Sequence, residues 1–168
     1  MSTKYRMWKQ SRTHLIVSTC LIFGLLFLDQ STKFLALTYL SNGNVIPLIP
    51  HFLSLRLLFN PGATLGFGLS ETPLVALIEF LACVIFLILD TRTKKILWTI
   101  AFNFAFAGSL GNLIDRIIYA HSFLNGSVVD FLDYGWSIGN IADIELTVAA
   151  VLIIYCIVFS IPLKNKDH

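Results

Sequence analysis

Charge is scarce in this chain. Of its 168 residues only 13% are Asp, Glu, Lys or Arg, while 56% are apolar. Ordinary soluble domains carry about 25% charged residues. Too little charge remains here to coat a water-facing globule, and mean hydropathy is +0.77. The same composition excludes intrinsic disorder, which needs a hydrophilic or strongly charged chain. Cysteine is sparse as well. Cys20, Cys83 and Cys156 lie far apart inside apolar runs. That odd, scattered set supports neither a disulfide framework nor a paired-cysteine metal site, and reads as small buried hydrophobes. His14, His51, His121 and His168 form no HExxH or other zinc spacing. No G-x-S-x-G nucleophile motif is expected and no serine is linked to a histidine by a motif, and no basic, aromatic-interleaved surface suits nucleic acid. The expectation is no cofactor, no metal and no nucleic-acid partner.

Long apolar sequence is what the chain has in abundance. A spanning helix needs about 20 mostly apolar residues. Four segments qualify, over about 13–37, 73–89, 96–114 and 138–163. Lys4, Arg6, Lys9 and Arg12 precede the first run as in a signal peptide. The run continues through Phe34-Leu35-Ala36 without a small-residue cleavage site, so an uncleaved span is expected. Arg92, Lys94 and Lys95 fall between spans two and three, and Lys164 and Lys166 follow span four. Nine of the 12 basic residues thus gather on one side, which is the cytoplasmic side, with both termini. The fold class predicted is a membrane all-α protein, one integral domain over 1–168. A small extracytoplasmic β-structure is expected between helices 1 and 2, where Phe52 to Phe59 is β-leaning and bounded by prolines. Asn60-Pro61-Gly62-Ala63 reads as a turn. Gly66-Phe67-Gly68 lacks the strand–helix context of a nucleotide site.

Carboxylates cluster in depth. At about 1.5 Å per residue, Asp29 lies about 24 Å and Asp115 about 28 Å from the inner ends of their spans. Asp143 is expected about 7–8 Å below the outer end of span four, with Asp130 in the loop just before it. Charge inside a bilayer tends to mark function. Asp29 and Lys33 are spaced i, i+4 and can pair. Gly108, Asn112, Asp115 and Arg116 share a face, as do Asn140, Asp143 and Thr147. Glu145 is expected to point toward headgroups or a neighbouring segment, and Glu79 to lie at mid-span, well below this level, as a protonated or paired packing residue. Two adjacent carboxylates that share a proton can hydrolyse a peptide, one activating water and the other polarising the carbonyl. Depth and spacing do not rank Asp115 below Asp130. The same acids also suit a small proton- or ion-coupled transport subunit, and a non-catalytic scaffold is a third reading.

Five motifs, in order, then point to one family. They are Asp29-Gln30-Ser31-Thr32-Lys33, Asn60-Pro61-Gly62-Ala63 with Gly66, Gly108 through Arg116, Val128-Val129-Asp130-Phe131, and Asn140-Ile141-Ala142-Asp143. The chain resembles lipoprotein signal peptidase (signal peptidase II), a bacterial membrane aspartyl protease family, over nearly its whole length. The resemblance implies that Asp130 and Asp143 are the catalytic pair. It implies that Asn60, Gly62, Gly108, Asn112, Asp115, Arg116, Asn140 and Ala142 bind substrate or support the pair, and that Asp29 and Lys33 support the fold. It also implies a diacylglyceryl-modified prolipoprotein substrate cut just before the lipidated cysteine, membrane lipids as partners, and an active site at the outer surface of the bacterial cytoplasmic membrane. Two departures stand out: Gly139 where the family usually carries Phe, and Ile144-Glu145 after Asp143 where a small residue is usual. The link from Tyr119 to Ser127 is long and predicts a surface excursion.

Overall fold

The computed structural model describes residues 3–62, 72–93 and 95–163, with side chains from residue 12 onward. The elements run α1 (Thr3–Leu40), β1 (Val45–Ile49), β2 (Leu53–Asn60), α2 (Thr72–Arg92), α3 (Ile96–Ile118), β3 (Val128–Asp133), β4 (Ile138–Gly139) and α4 (Ile141–Val158). Four helical stretches are long and apolar enough to cross a membrane: Arg12–Leu40, Thr72–Arg92, Ile96–Ile118 and Ile141–Val158.

Helix α3 is the hub and packs against α1, α2 and α4. Small residues let it do so. Ala101, Ala105, Ala107 and Gly108 are buried along it. A Cβ at Gly108 would stand 2.7 Å from the Ala142 carbonyl oxygen and 2.9 Å from Leu146 Cγ. Lipid tails are as apolar as leucine, so close backbone approach and polar contacts, rather than apolar burial, hold such helices together. The outward faces are correspondingly greasy: Phe23, Phe27 and Phe34 on α1, Phe80 and Ile85 on α2, and Ile154 and Ile157 on α4 are all exposed.

At the end of the bundle where α1 begins, polar side chains tie three helices. His14 Nε2 lies 3.0 Å from Thr99 Oγ1 and 3.4 Å from Asp90 Oδ1. Ser18 donates to Asp90 Oδ2 at 2.9 Å.

The strands form one antiparallel sheet in the order β1-β2-β3-β4. Leu58 pairs with Asp130 and Leu132 with Gly139. Strand β3 is central and buried, which suits its run Val128-Val129-Asp130-Phe131-Leu132. Alternation along a strand sends neighbours to opposite faces, so Phe131 packs with Ala36 and Leu40 of α1 while Asp130 turns the other way.

Two expectations are corrected. The β-structure is not confined to the link between the first two helices, because the α3–α4 link supplies β3 and β4. Asp130 is therefore a strand residue, not a loop residue. The fourth helix spans Ile141–Val158 rather than 138–163. Its start is set by Asn140, whose side chain caps the helix while Ile138 and Gly139 pair with β3. Its end is set by Ser160, whose φ of 50° leaves the helical region, and by Pro162 beyond. The other three helices run longer than their apolar cores, as polar end residues continue the turns. The stretch from Tyr119 to Ser127 is irregular, as the long link predicts.

Candidate active site

The first turn of α4 organises the site. Asn140 Oδ1 accepts the Asp143 N–H at 3.1 Å, and Asp143 Oδ2 accepts the Asn140 N–H at 3.0 Å. This reciprocal capping box satisfies two otherwise orphaned helix donors. It also fixes the Asp143 carboxylate beside the end of β4. Asp143 is the third residue of the helix, about 3 Å below its start, and so lies higher than the 7–8 Å expected from sequence.

The same asparagine reaches the other acid. Asn140 Nδ2 donates to Asp130 Oδ1 at 2.6 Å and to Asn112 Oδ1 at 3.1 Å. Asn60, at the end of β2, donates to Asp130 Oδ2 at 2.8 Å, and its own Oδ1 accepts the Gly62 N–H at 2.9 Å. Asn112 Nδ2 donates to Asp143 Oδ1 at 3.2 Å. One residue, fully buried Asn140, therefore bonds both carboxylates.

Burial pushes the Asp130 carboxyl up to about 6. Donation from Asn60 opposes that rise, the Asp143 charge adds to it, and Asn140 and Lys33 oppose it. The folded state therefore holds a proton that the unfolded chain, with its ordinary value of 3.8, gives up earlier. The contribution of Asp130 to stability is lost as pH rises from about 4 to about 6, by on the order of 3 kcal/mol. Thermal unfolding in detergent across that range should show a fall in wild-type stability that is missing from Asp130→Asn.

A second layer stands behind the acids. Lys33 Nζ lies 3.0 Å from Asp29 Oδ2 and 2.9 Å from Asp115 Oδ2, and donates to Asn112 Oδ1 at 3.1 Å. Asp29 Oδ1 accepts the Ala142 N–H at 3.0 Å, which ties α1 to the first turn of α4. Asp115 Oδ2 accepts the Val129 N–H at 3.0 Å, next door to Asp130. Gly111 is held to this packing, because a Cβ there would stand 2.5 Å from Asp29 Oδ2.

The structure brings Asn60, Asn112, Asp130, Asn140 and Asp143 into one hydrogen-bonded group, with Asp29, Lys33 and Asp115 behind it. Gly108 and Ala142 serve the α3–α4 contact. Arg116 faces elsewhere: its Nε lies 3.0–3.1 Å from both Glu79 oxygens, and Nη1 donates to Gly126 O at 3.1 Å. Gly62, at φ 100°, packs near Arg116 Nη2. Glu79 is thus a paired packing residue, as expected, joined across to α3; seven residues into α2, it sits about 10 Å along the helix, nearer the helix start than mid-span. Ala63 and Gly66, with the Gly66-Phe67-Gly68 stretch, lie outside the described residues.

Glu145 turns to a neighbouring segment, α3, the second of its two expected settings. It is 2% exposed and packs against Gly108 rather than reaching headgroups, and neither oxygen has a hydrogen-bond partner among the described residues. Burial of an unpartnered carboxyl is unfavourable. Glu145→Met, similar in volume, is expected to stabilise the protein by about 1–2 kcal/mol, read as a higher Tm in detergent. The expectation that the chain holds no G-x-S-x-G is corrected, because Gly135-Trp136-Ser137-Ile138-Gly139 spells one. Ser137 lies in the β3–β4 turn, its carbonyl accepting the Tyr134 N–H at 2.9 Å. A serine nucleophile of that motif needs a strand-to-helix elbow.

The family model of signal peptidase (SPase) II matches residues 21–159. The chain belongs to the signal peptidase II family. A lipoprotein signal peptidase of Bifidobacterium longum subsp. infantis is 49% identical over 93% of this chain and 86% of its own length. One from Staphylococcus aureus is 37% identical over 79% and 82%. A bacterial membrane enzyme solved by the in meso method at 1.9 Å gives a TM-score of 0.73 at 29% identity, covering 90% of this chain and 94% of that one. Signal peptidases are proteases, and this one is a multi-pass membrane protein. None of the groups of His, Cys, Asp and Glu among the described residues has the makings of a metal site.

Proposed function

We propose that the protein is an aspartic endopeptidase that removes the signal peptide from diacylglyceryl-modified prolipoproteins, cutting just before the lipidated cysteine. Asp130 and Asp143 are the catalytic pair. The observation that carries the reading is Asn140, one residue hydrogen-bonded to both carboxylates.

The chemistry follows from a pair that shares one proton. The ionised carboxylate takes a proton from water as the water oxygen bonds to the scissile carbonyl carbon. The protonated carboxyl gives its proton to the carbonyl oxygen, and a neutral tetrahedral diol results. The first acid then returns its proton to the amide nitrogen while the second recovers one from a diol hydroxyl. The C–N bond breaks, releasing a leader carboxyl and the cysteine amine. The pair ends with one proton, as it began, and its apparent pKa values belong to both members. No covalent intermediate is required.

The chain is a single integral domain of the bacterial cytoplasmic membrane. Lys and Arg bias puts both termini in the cytoplasm and the sheet, with the acids, at the outer surface. A substrate anchored by acyl chains in the outer leaflet presents its scissile bond at that height. Asn60 and the sheet edge are suited to hold its extended backbone, and membrane lipids bathe the helices. Family membership speaks against the transport reading.

Purified protein in detergent is to be incubated with a diacylated prolipoprotein and with its unmodified precursor. Release of the leader from the first and not the second is expected. No release, or equal release from both, would overturn the proposal.

A further inference from the structure

Lys33 is 2% exposed, its ammonium enclosed by protein groups. Its surroundings exceed what an ion pair needs. Besides Asp29 and Asp115, its ammonium donates to Asn112 Oδ1 at 3.1 Å. Asn140 Nδ2 donates to the same oxygen at 3.1 Å. With its oxygen held by two donors, the Asn112 amide cannot flip. Its Nδ2 must face Asp143 Oδ1, 3.2 Å away. The ammonium thus polarises the very amide that donates to Asp143.

We infer that Lys33 is a positioning residue for the reaction: acting through Asn112, it keeps Asp143 as the ionised, water-activating carboxylate and leaves the shared proton on Asp130. The inference rests on the reading that these two acids are the catalytic pair.

Three further features separate the two acids in the same sense. Asp143 occupies the first turn of α4 and accepts a main-chain N–H there, where the helix dipole favours an anion. Asp130 sits on a strand, which supplies no comparable field, and its two contacts are the neutral amides of Asn60 and Asn140. Burial also holds the Asp130 carboxyl up at about 6. Among the described residues, the titratable groups within electrostatic reach of Lys33 are Asp29 on its own helix, Asp115 on α3 with Tyr119 just beyond it, Asp143 and Glu145 on α4, Asp130 on β3 and Glu79 on α2, and Tyr134 after β3 faces Asp143. A single amide, Asn112, joins Lys33 to Asp143, whereas the path to Asp130 runs one amide further, through Asn140.

The direct test uses Lys33→Met with Asp115→Asn, so that one charge of each sign leaves together. Asp29 keeps its contacts with Gln30 and the Ala142 N–H. Expected are a fall in kcat of about 10-fold or more, an unchanged KM, and an acid limb of the kcat–pH profile moved up by about 0.5–1 unit. Asp29→Asn removes an opposing charge and should move that limb down. A purely structural role would not shift the limb in opposite directions. Asn112→Ala leaves the ion pairs in place yet should reproduce the upward shift. Combined with the Lys33 double change it should add little, as expected for residues in one chain of contacts. If the Lys33 variant does not purify as a monodisperse protein, the Asn112→Ala and Asp29→Asn limbs decide. Superimposable profiles, or fully additive shifts, would overturn the inference while Asp143→Asn remains inactive. An active Asp143→Asn would instead remove the catalytic pair on which it rests.

Discussion

Asp130→Asn and Asp143→Asn should each lower kcat for leader release by about 1,000-fold or more. The reaction needs one acid to accept a proton and the other to donate one, and an amide does neither near neutral pH. Folding should survive both changes. The amide introduced by Asp143→Asn still offers an oxygen to the Asn140 N–H, and the one introduced by Asp130→Asn still offers an oxygen to Asn140 Nδ2. The measurement is leader release from a diacylated prolipoprotein, with Tm and detergent elution profile as controls for folding. Asp133→Asn provides the internal comparison. Asp133 lies three residues along the same strand, and its partner Arg56 is half-exposed at 3.1 Å. Exposed pairs contribute about 0–1 kcal/mol, so this variant should keep activity within about two-fold. Near-normal processing by either Asp130→Asn or Asp143→Asn would dismiss the pair.

What can be seen in the sequence depends on the range of the interaction. Helix runs are local, and all four spans are visible as apolar stretches. The Asp29–Lys33 pair is local too, at i, i+4. The start of α4 is not, because Ile138 and Gly139 look like helix-compatible apolar sequence until β3 lies beside them. The buried run Val128–Leu132 is too short to tell strand from buried helix by periodicity. The contacts of Lys33 with Asp115 and of Arg116 with Glu79 join different helices, and no spacing rule announces them. Glu145 shows how a face can be read without its neighbour. Helical periodicity turns it away from Asp143, but only Gly108 on α3 reveals that this other face is also buried. A small residue at a shared depth is the available signal. Spacing does not rank Asp130 above Asp115 either; the resemblance to the family does, and the contacts support that proposal, since Asp115 is engaged by Lys33, Gln30 and the Val129 N–H while Asp130 and Asp143 both bond Asn140.

Asn140 carries two loads, and a pair of variants can separate them. Its Oδ1 caps α4, and its Nδ2 bridges Asp130 and Asn112. Asn140→Ala removes both. Loss of a cap costs about 1 kcal/mol, and acceptors left without a donor in a buried site add about 1–3 kcal/mol. Tm should fall clearly, and kcat by about 100-fold as the carboxylates lose their common anchor. Asn140→Ser retains a cap of nearly equal quality, but its hydroxyl is too short to serve the Asp143 N–H and Asp130 together. Stability of the Ser variant should therefore stand above that of the Ala variant by about 1 kcal/mol, while its kcat falls almost as far. Tm and initial rates of leader release, measured on the same preparations, give the two readouts. A Ser variant with wild-type kcat would mean that the bridge between the acids is dispensable and that Asn140 matters only as a cap.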